Sequence, residues 1–141
     1  MNQPTPKTDI KDINFVEFIN TNKNRNTKDG YSISWRSGGV YHTGQINFNG
    51  GMIAKLQLDK FDSVRTFQDA KNKLIAVLPN NEPKDDSNRA LRKNGNGRFL
   101  ASVSFCRLAV EDYKYPTGHN LDYEVQPSGL VVLLKYEEPK E

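Results

Sequence analysis

Apolar and polar residues alternate most regularly between Gly30 and Leu58, in three short runs separated by Ser37-Gly38-Gly39 and Asn49-Gly50-Gly51. Glycine accepts positive φ at no steric cost, so the breaks read as turns and the stretch as a three-stranded meander. Successive strand side chains point to opposite faces. In the first strand Tyr31, Ile33 and Trp35 therefore lie opposite Ser32, Ser34 and Arg36. In the second, Val40, His42, Ile46 and Phe48 lie opposite Tyr41, Thr43, Gln45 and Asn47. In the third, Met52, Ala54, Leu56 and Leu58 lie opposite Ile53, Lys55 and Gln57. One face of the meander is expected to be core. The other is a polar surface bearing Arg36, Tyr41 and Lys55.

Beyond Leu58 the period changes. Val64, Phe67, Ala70, Leu74, Ile75 and Leu78 recur at roughly helical spacing, with Asp62 or Ser63 as N-cap and Pro79 as a stop, which predicts the main helix. Residues 79–97 read as a long polar connection. Arg98 to Val110 reads as one β segment, with Phe99, Ala101, Val103 and Phe105 on one face and a bulge near Cys106-Arg107, where the parity shifts. A last hairpin joins Leu121–Val125 to Leu130–Tyr136 through Gln126-Pro127-Ser128-Gly129, its LVVLL run suggesting a strand buried on both faces. Before the meander, Ile10, Ile13, Phe15, Val16, Phe18 and Ile19 suggest a short helix. The fold class expected is a β-rich α+β domain. It would be an antiparallel five- to six-stranded sheet, or a small barrel like the five-stranded one that binds oligonucleotides and oligosaccharides, with one main helix between strands 3 and 4. Residues 10–136 would form one domain between tails 1–9 and 137–141.

Size supports one core: 141 residues bury enough surface for a single domain, and the 35% hydrophobic fraction makes a dimer a natural way to bury more. One cysteine and two histidines exclude a disulfide framework and a four-ligand zinc site of nitrogen and sulfur donors. The amino-terminal MNQPTPKTDIKD has no apolar signal core, and the longest apolar run, Leu130 to Leu134, is too short to span a bilayer. A soluble, cytoplasmic protein is expected.

Charge is modest in total, +3, but unevenly placed. Residues 111–141 hold seven acids against three bases, while 20–36 and 84–98 each net +3. Basic patches of this kind raise the expectation of a polyanionic partner. Catalytic chemistry finds little support. No phosphate-binding loop or dinucleotide fingerprint occurs. Cys106 lacks an accompanying base and oxyanion signature, and reads as a small buried hydrophobe. His42 has the parity of an inward-facing residue. The pairs Asp85-Asp86, Glu111-Asp112 and Glu137-Glu138 read as solvated acids. No catalytic group, metal or cofactor is assigned.

The remaining pattern, aromatic and basic residues interleaved on a β surface, matches single-strand binding by ring stacking and phosphate neutralisation. The candidate residues are Arg25, Lys28, Trp35, Arg36, Tyr41, Lys55, Arg89, Arg92, Lys93 and Arg98, with Tyr31, Phe48 and Phe99 as further aromatics. Parity assigns Phe48 to the core and favours Tyr41. The expected partner is single-stranded nucleic acid, DNA before RNA, bound by a homodimer. The alternative is a protein–protein interaction module that uses strand edges and the loop Tyr113–Tyr115. An enzyme of unrecognised type is the third reading.

Overall fold

The computed structural model describes residues 16–17, 28–38, 42–95 and 97–137. They form eight strands and two short helices: β1 (Tyr31–Arg36), β2 (Thr43–Phe48), α1 (Gly50–Leu56), β3 (Ser63–Asp69), β4 (Leu74–Asn80), β5 (Asn88–Asn94), β6 (Gly97–Ala101), α2 (Val103–Arg107), β7 (Leu121–Val125) and β8 (Val131–Glu137). The strands close into an antiparallel barrel in the order β1-β2-β6-β5-β3-β4-β8-β7, with Tyr31 pairing Leu121 at the seam. An eight-stranded barrel has an interior just wide enough for side chains to fill. Tyr31, Ile33, Ile46, Phe48, Ile75, Val77, Leu100 and Leu133 fill it here, each almost wholly buried.

The first and last hairpins match the sequence pattern. β1 pairs β2 from Tyr31↔Phe48 to Arg36↔Thr43, and β7 pairs β8 across the Gln126–Gly129 turn. In β8 only one face is fully buried, however, since Val131 and Leu133 lie inside while Val132 and Leu134 are half-buried outside.

The expected third strand is instead α1 followed by a 3-10 turn, Leu58–Lys60. Met52 and Ile53 are adjacent and both buried, which a helix permits and a strand with alternating faces does not. The expected main helix is the β3–β4 hairpin, with Phe67 opposite Ala76. Its turn is built by Asp69, whose carboxylate accepts the N–H groups of Lys71 and Asn72 at 3.1 Å, and Lys73 takes a left-handed φ of 56°. Such side-chain turns compete with helix, and the β-branched Val64, Thr66, Ile75 and Val77 favour strand. The expected connection 79–97 contains β5. Its remaining loop is pinned by Asn88, whose amide donates to Asn80 Oδ1 at 3.0 Å and to the Pro83 carbonyl at 2.9 Å.

The expected strand from Arg98 to Val110 ends at Ala101. Ser102 Oγ then accepts the Phe105 N–H at 3.2 Å and caps α2, so the parity shift marks a change of element and not a bulge. The fold is thus an eight-stranded barrel with two short helices, and not a five-stranded one. The segment 9–20, apart from Val16 and Glu17, lies outside the described residues.

Both ends of the barrel are closed. α1 and the 3-10 turn cover the end where β2 finishes. α2, a π-helical turn Leu108–Asp112 and the segment after it cover the other. There Gly44 has no room for a Cβ, which would stand 2.8 Å from Cys106 Cβ and 3.0 Å from the Trp35 ring. Burial pushes the Cys106 thiol up to about 12, so it is protonated at neutral pH.

Tyr113 and Tyr115, expected on an exposed loop, are buried at this end. The Tyr115 hydroxyl donates to the Leu133 carbonyl at 2.5 Å and accepts the Ile75 N–H at 2.8 Å. Burial raises the Tyr115 phenol to about 12, and burial with neighbouring negative groups raises Tyr31 further still. A folded-state pKa above the unfolded value of about 10 gives stability that is intact below pH 10 and lost as pH rises toward 12. In an ultraviolet pH titration, Tyr31 and Tyr115 are therefore expected to ionise late, together with loss of the native circular dichroism. Six ionisations near pH 10 in a native protein would contradict this packing.

Candidate nucleic-acid interface

The barrel divides electrostatically into two halves. β1, β2, β6 and β5 are contiguous and contain Arg36, Arg89, Arg92, Lys93 and Arg98 with no acid. β3, β4, β8 and β7 contain Arg65 and Lys135 against Asp69, Asp122, Glu124 and Glu137.

On the outer face of the first half, the register builds a row across four strands: Ser32 opposite Asn47, Asn47 opposite Phe99, Phe99 opposite Arg92. A second row runs Ser34, Gln45, Ala101, and a third Arg36, Thr43. Phe99 is half-buried and stands outside the packed interior, in register between Asn47 and Arg92. Gln45 Nε2 donates to Asn47 Oδ1 at 2.6 Å, and Asn47 Nδ2 to Ser34 Oγ at 3.0 Å, so the polar side chains are mutually oriented. At about 4.8 Å between strands and about 3.3 Å per residue, Arg92 and Arg36 stand roughly 20 Å apart across this face.

Beside the row, Lys84, Arg89 and Arg92 border a shallow depression of about 210 Å³ that rests on Ala90 and Ala101. Asp85 also lines it, but its carboxylate is turned to its own loop. Hydrogen bonds from the Ser87 and Asn88 N–H groups, both 2.9 Å, hold its pKa below the usual range, and Arg65 lies 3.5 Å away. Among the described residues, Arg36, Arg89, Arg92 and Lys93 form no ion pair.

At the α2 end of the same half, Trp35 has inward parity and closes the barrel against Gly44, so it does not share the outer face with Arg36. Its half-buried ring is stacked with His42 at 6.3 Å, and Arg107 lies 5.7 Å from its centre. His42 is exposed, contrary to its parity in the sequence pattern, because it precedes the paired part of β2.

The other candidates separate. Arg25 and Tyr41 lie outside the described residues. Lys28 is exposed beside α1, where its carbonyl accepts the Gly51 N–H. Lys55 is on α1 and not on the sheet, and is committed to Asp29 at 2.9 Å. Burial works against the Asp29 carboxylate, yet the Tyr123 hydroxyl, Lys55 and the Gly30 N–H hold its pKa below the usual range. Tyr31 and Phe48 are interior.

Arg98 faces inward at the α1 end, its side chain only 9% exposed. It donates to Asp59 at 2.9 Å, to the Phe61 carbonyl at 2.9 Å and to the Leu91 carbonyl at 3.4 Å. It therefore ties the 3-10 turn to the barrel wall. Arg98→Ala is expected to lower stability by about 1.5–3 kcal/mol, the range for hydrogen bonds to a charged group, and to leave any polyanion affinity within about twofold. Chemical denaturation alongside a binding titration checks this. A loss of affinity without a loss of stability would return Arg98 to the surface.

The sequence pattern does not single out Arg107 or the alignment of Phe99 with Asn47 and Arg92. Both depend on contacts between elements far apart in the chain. No group of three or more histidine, cysteine or acidic side chains positioned to hold a metal occurs among the described residues. Comparison of the chain with protein-family models, with curated proteins and with solved structures returned no significant match.

Proposed function

We propose that this protein binds single-stranded nucleic acid, DNA in the first instance, on the outer face of β1-β2-β6-β5 and without catalysing a reaction. The observation that carries the reading is the acid-free half of the barrel, with Phe99 set between Asn47 and Arg92 at its centre. Bases stack on Phe99, while Arg36 and Arg92 on the outer face and Arg89 at the depression neutralise phosphates; Lys93, opposite the inward-facing Arg98, lies at the α1 end and takes no part. The oriented amides of Gln45 and Asn47 offer hydrogen bonds to base edges. Trp35, with His42 and Arg107 beside it, extends the surface at the α2 end.

Anisotropy titration of labelled oligo-dT tests the reading. With three to four phosphates neutralised and a slope of about 0.7 per phosphate on single strands, log affinity should fall against log salt with a slope of about −2 to −3. No binding at low salt, or binding indifferent to salt, would end the proposal. The protein-interaction alternative draws its support from the other half of the barrel, where Phe67, 40% exposed, lies in register with Ala76 and Val132 on the outer side.

A further inference from the structure

The acid-free half of the barrel ends at β5, where the charge changes abruptly. The loop 81–87 joins β4 to β5, which flank β3 in the barrel, and it is held against β3. Arg65 of β3 donates to Ser87 Oγ and to Glu82, both at 2.9 Å, and lies 3.5 Å from Asp85. The Thr66 N–H donates to the Ser87 carbonyl at 2.7 Å. The loop therefore makes a ridge beside β5 that contains Glu82, Asp85 and Asp86 and a single base, Lys84. Its foot is fixed by the wholly buried Asn88, whose amide donates to the Glu82 carbonyl at 3.2 Å and the Pro83 carbonyl at 2.9 Å, just before Lys84.

Lys84 borders the depression of about 210 Å³ together with Arg89 and Arg92. Arg89 Nη2 donates to the Ala101 carbonyl at 3.4 Å, which keeps this guanidinium at the end of β6. Ala90 and Ala101 leave the floor low, since neither carries more than a methyl group. Among the described residues, none of the three bases forms an ion pair.

We propose that this depression holds the terminal phosphate monoester of the bound strand, so that the protein prefers a phosphorylated strand end to a hydroxyl end. The proposal rests on the nucleic-acid reading. Charge selects the monoester: three bases against Asp85 leave a net +2 around the depression, which matches the charge of about −1.5 to −2 on a phosphate monoester near neutral pH. An internal phosphate of the strand brings only about −1. Position fits as well. Ala101 lies two residues beyond Phe99 on the same face of β6, about 7 Å away at about 3.3 Å per residue, within reach of the phosphate of a nucleotide whose base stacks on Phe99. The ridge with its three acids then stands across the path of a continuing strand, so an end is accommodated here better than a middle.

Competition against a labelled, unphosphorylated oligo-dT at low salt tests it. The competitors are unlabelled oligo-dT of one length with a 5′-phosphate, a 3′-phosphate or neither, and inorganic phosphate. One of the two phosphorylated strands is expected to compete about tenfold better than the unphosphorylated one, as one added charge-assisted contact would give. Lys84→Ala, at an exposed loop position, should abolish that difference and leave the affinity of the unphosphorylated strand within about twofold. The wild-type comparison stands without the variant. Equal competition by all three strands, or a preference that survives in folded Lys84→Ala, would overturn the proposal and leave the nucleic-acid reading standing. Inorganic phosphate competing as well as the phosphorylated strand would overturn it in favour of a free-phosphate site. Binding of no strand would end both, and amide shifts at Ala90 and Ala101 on adding inorganic phosphate would then assign the depression to free phosphate.

Discussion

Replacing Gly30 by alanine is expected to destabilise the barrel more than Arg98→Ala does. Gly30 has a φ of 112°, and a Cβ there would stand 2.6 Å from the Leu121 carbonyl oxygen and 2.8 Å from Asn120 Oδ1. The first obstacle is backbone, so no rotamer change relieves it. Gly30 immediately precedes the Tyr31↔Leu121 pair, the contact between β1 and β7 that closes the barrel. Around that pair the Asn120 amide donates to the Asp29 carbonyl at 2.8 Å, the Gly118 N–H to the Ile33 carbonyl at 3.1 Å and the Tyr123 hydroxyl to the Asp29 carboxylate at 2.5 Å, so a shift at Gly30 disturbs the whole seam. An L-residue at this φ costs about 1–3 kcal/mol, and displacing packed neighbours costs about 1–3 kcal/mol again. Together they should lower Tm by about 10 °C or more for a domain of this size. Thermal unfolding followed by circular dichroism measures it. A variant within about 2 °C of wild type, less than 1 kcal/mol would produce, would mean that the barrel is not closed at this seam.

The second large effect is on binding. Phe99→Ala is expected to weaken oligo-dT binding by about 1–3 kcal/mol, the worth of one stacked base, and Arg92→Ala to reduce the salt slope by about 0.7. The two residues face each other across β5 and β6, so the double variant should show a coupling that the single variants do not predict by addition. Phe99 stands outside the packed interior, and its loss should leave stability nearly intact. Arg98, one residue earlier on the same strand, should do the reverse, since its guanidinium is buried against Asp59 and the Phe61 carbonyl. Adjacent residues with opposite phenotypes are the signature of a strand with one buried and one working face. If Phe99→Ala destabilised the fold and left affinity alone, the face would be a packing surface.

The two outer hairpins are legible in the sequence because their partners are close in the chain and one face of each is buried. Tyr31 and Ile33, and Ile46 and Phe48, follow strict alternation and lie in the core. The middle is not legible, for reasons particular to its residues. The apolar positions from Val64 to Leu78 satisfy both a helical and a strand period. What decides between them is the Asp69 turn, whose carboxylate organises Lys71 and Asn72. Met52 and Ile53 fit a strand only by ignoring that neighbours must then face opposite ways.

The alternation of the first two strands places Ser32, Ser34, Arg36, Thr43, Gln45 and Asn47 on one polar face, and the barrel keeps them there. The continuation of that face is where the pattern fails. It assigns Lys55 to a third strand, whereas β6, some fifty residues later, lies beside β2. That pairing carries Phe99 into the middle of the face, and nothing local in the chain specifies it. Arg98 is misplaced for a similar reason, since burial of an arginine depends on the Asp59 turn that reaches over it.

The most direct test of the central claim is to map backbone amide shifts while oligo-dT is added to the labelled protein at low salt. Asn47, Arg92, Phe99 and their neighbours on β1, β2, β5 and β6 are expected to shift in proportion to occupancy, with Phe67, Ala76 and Val132 unmoved. Shifts centred on β3, β4 and β8, or none anywhere on the barrel, would contradict it.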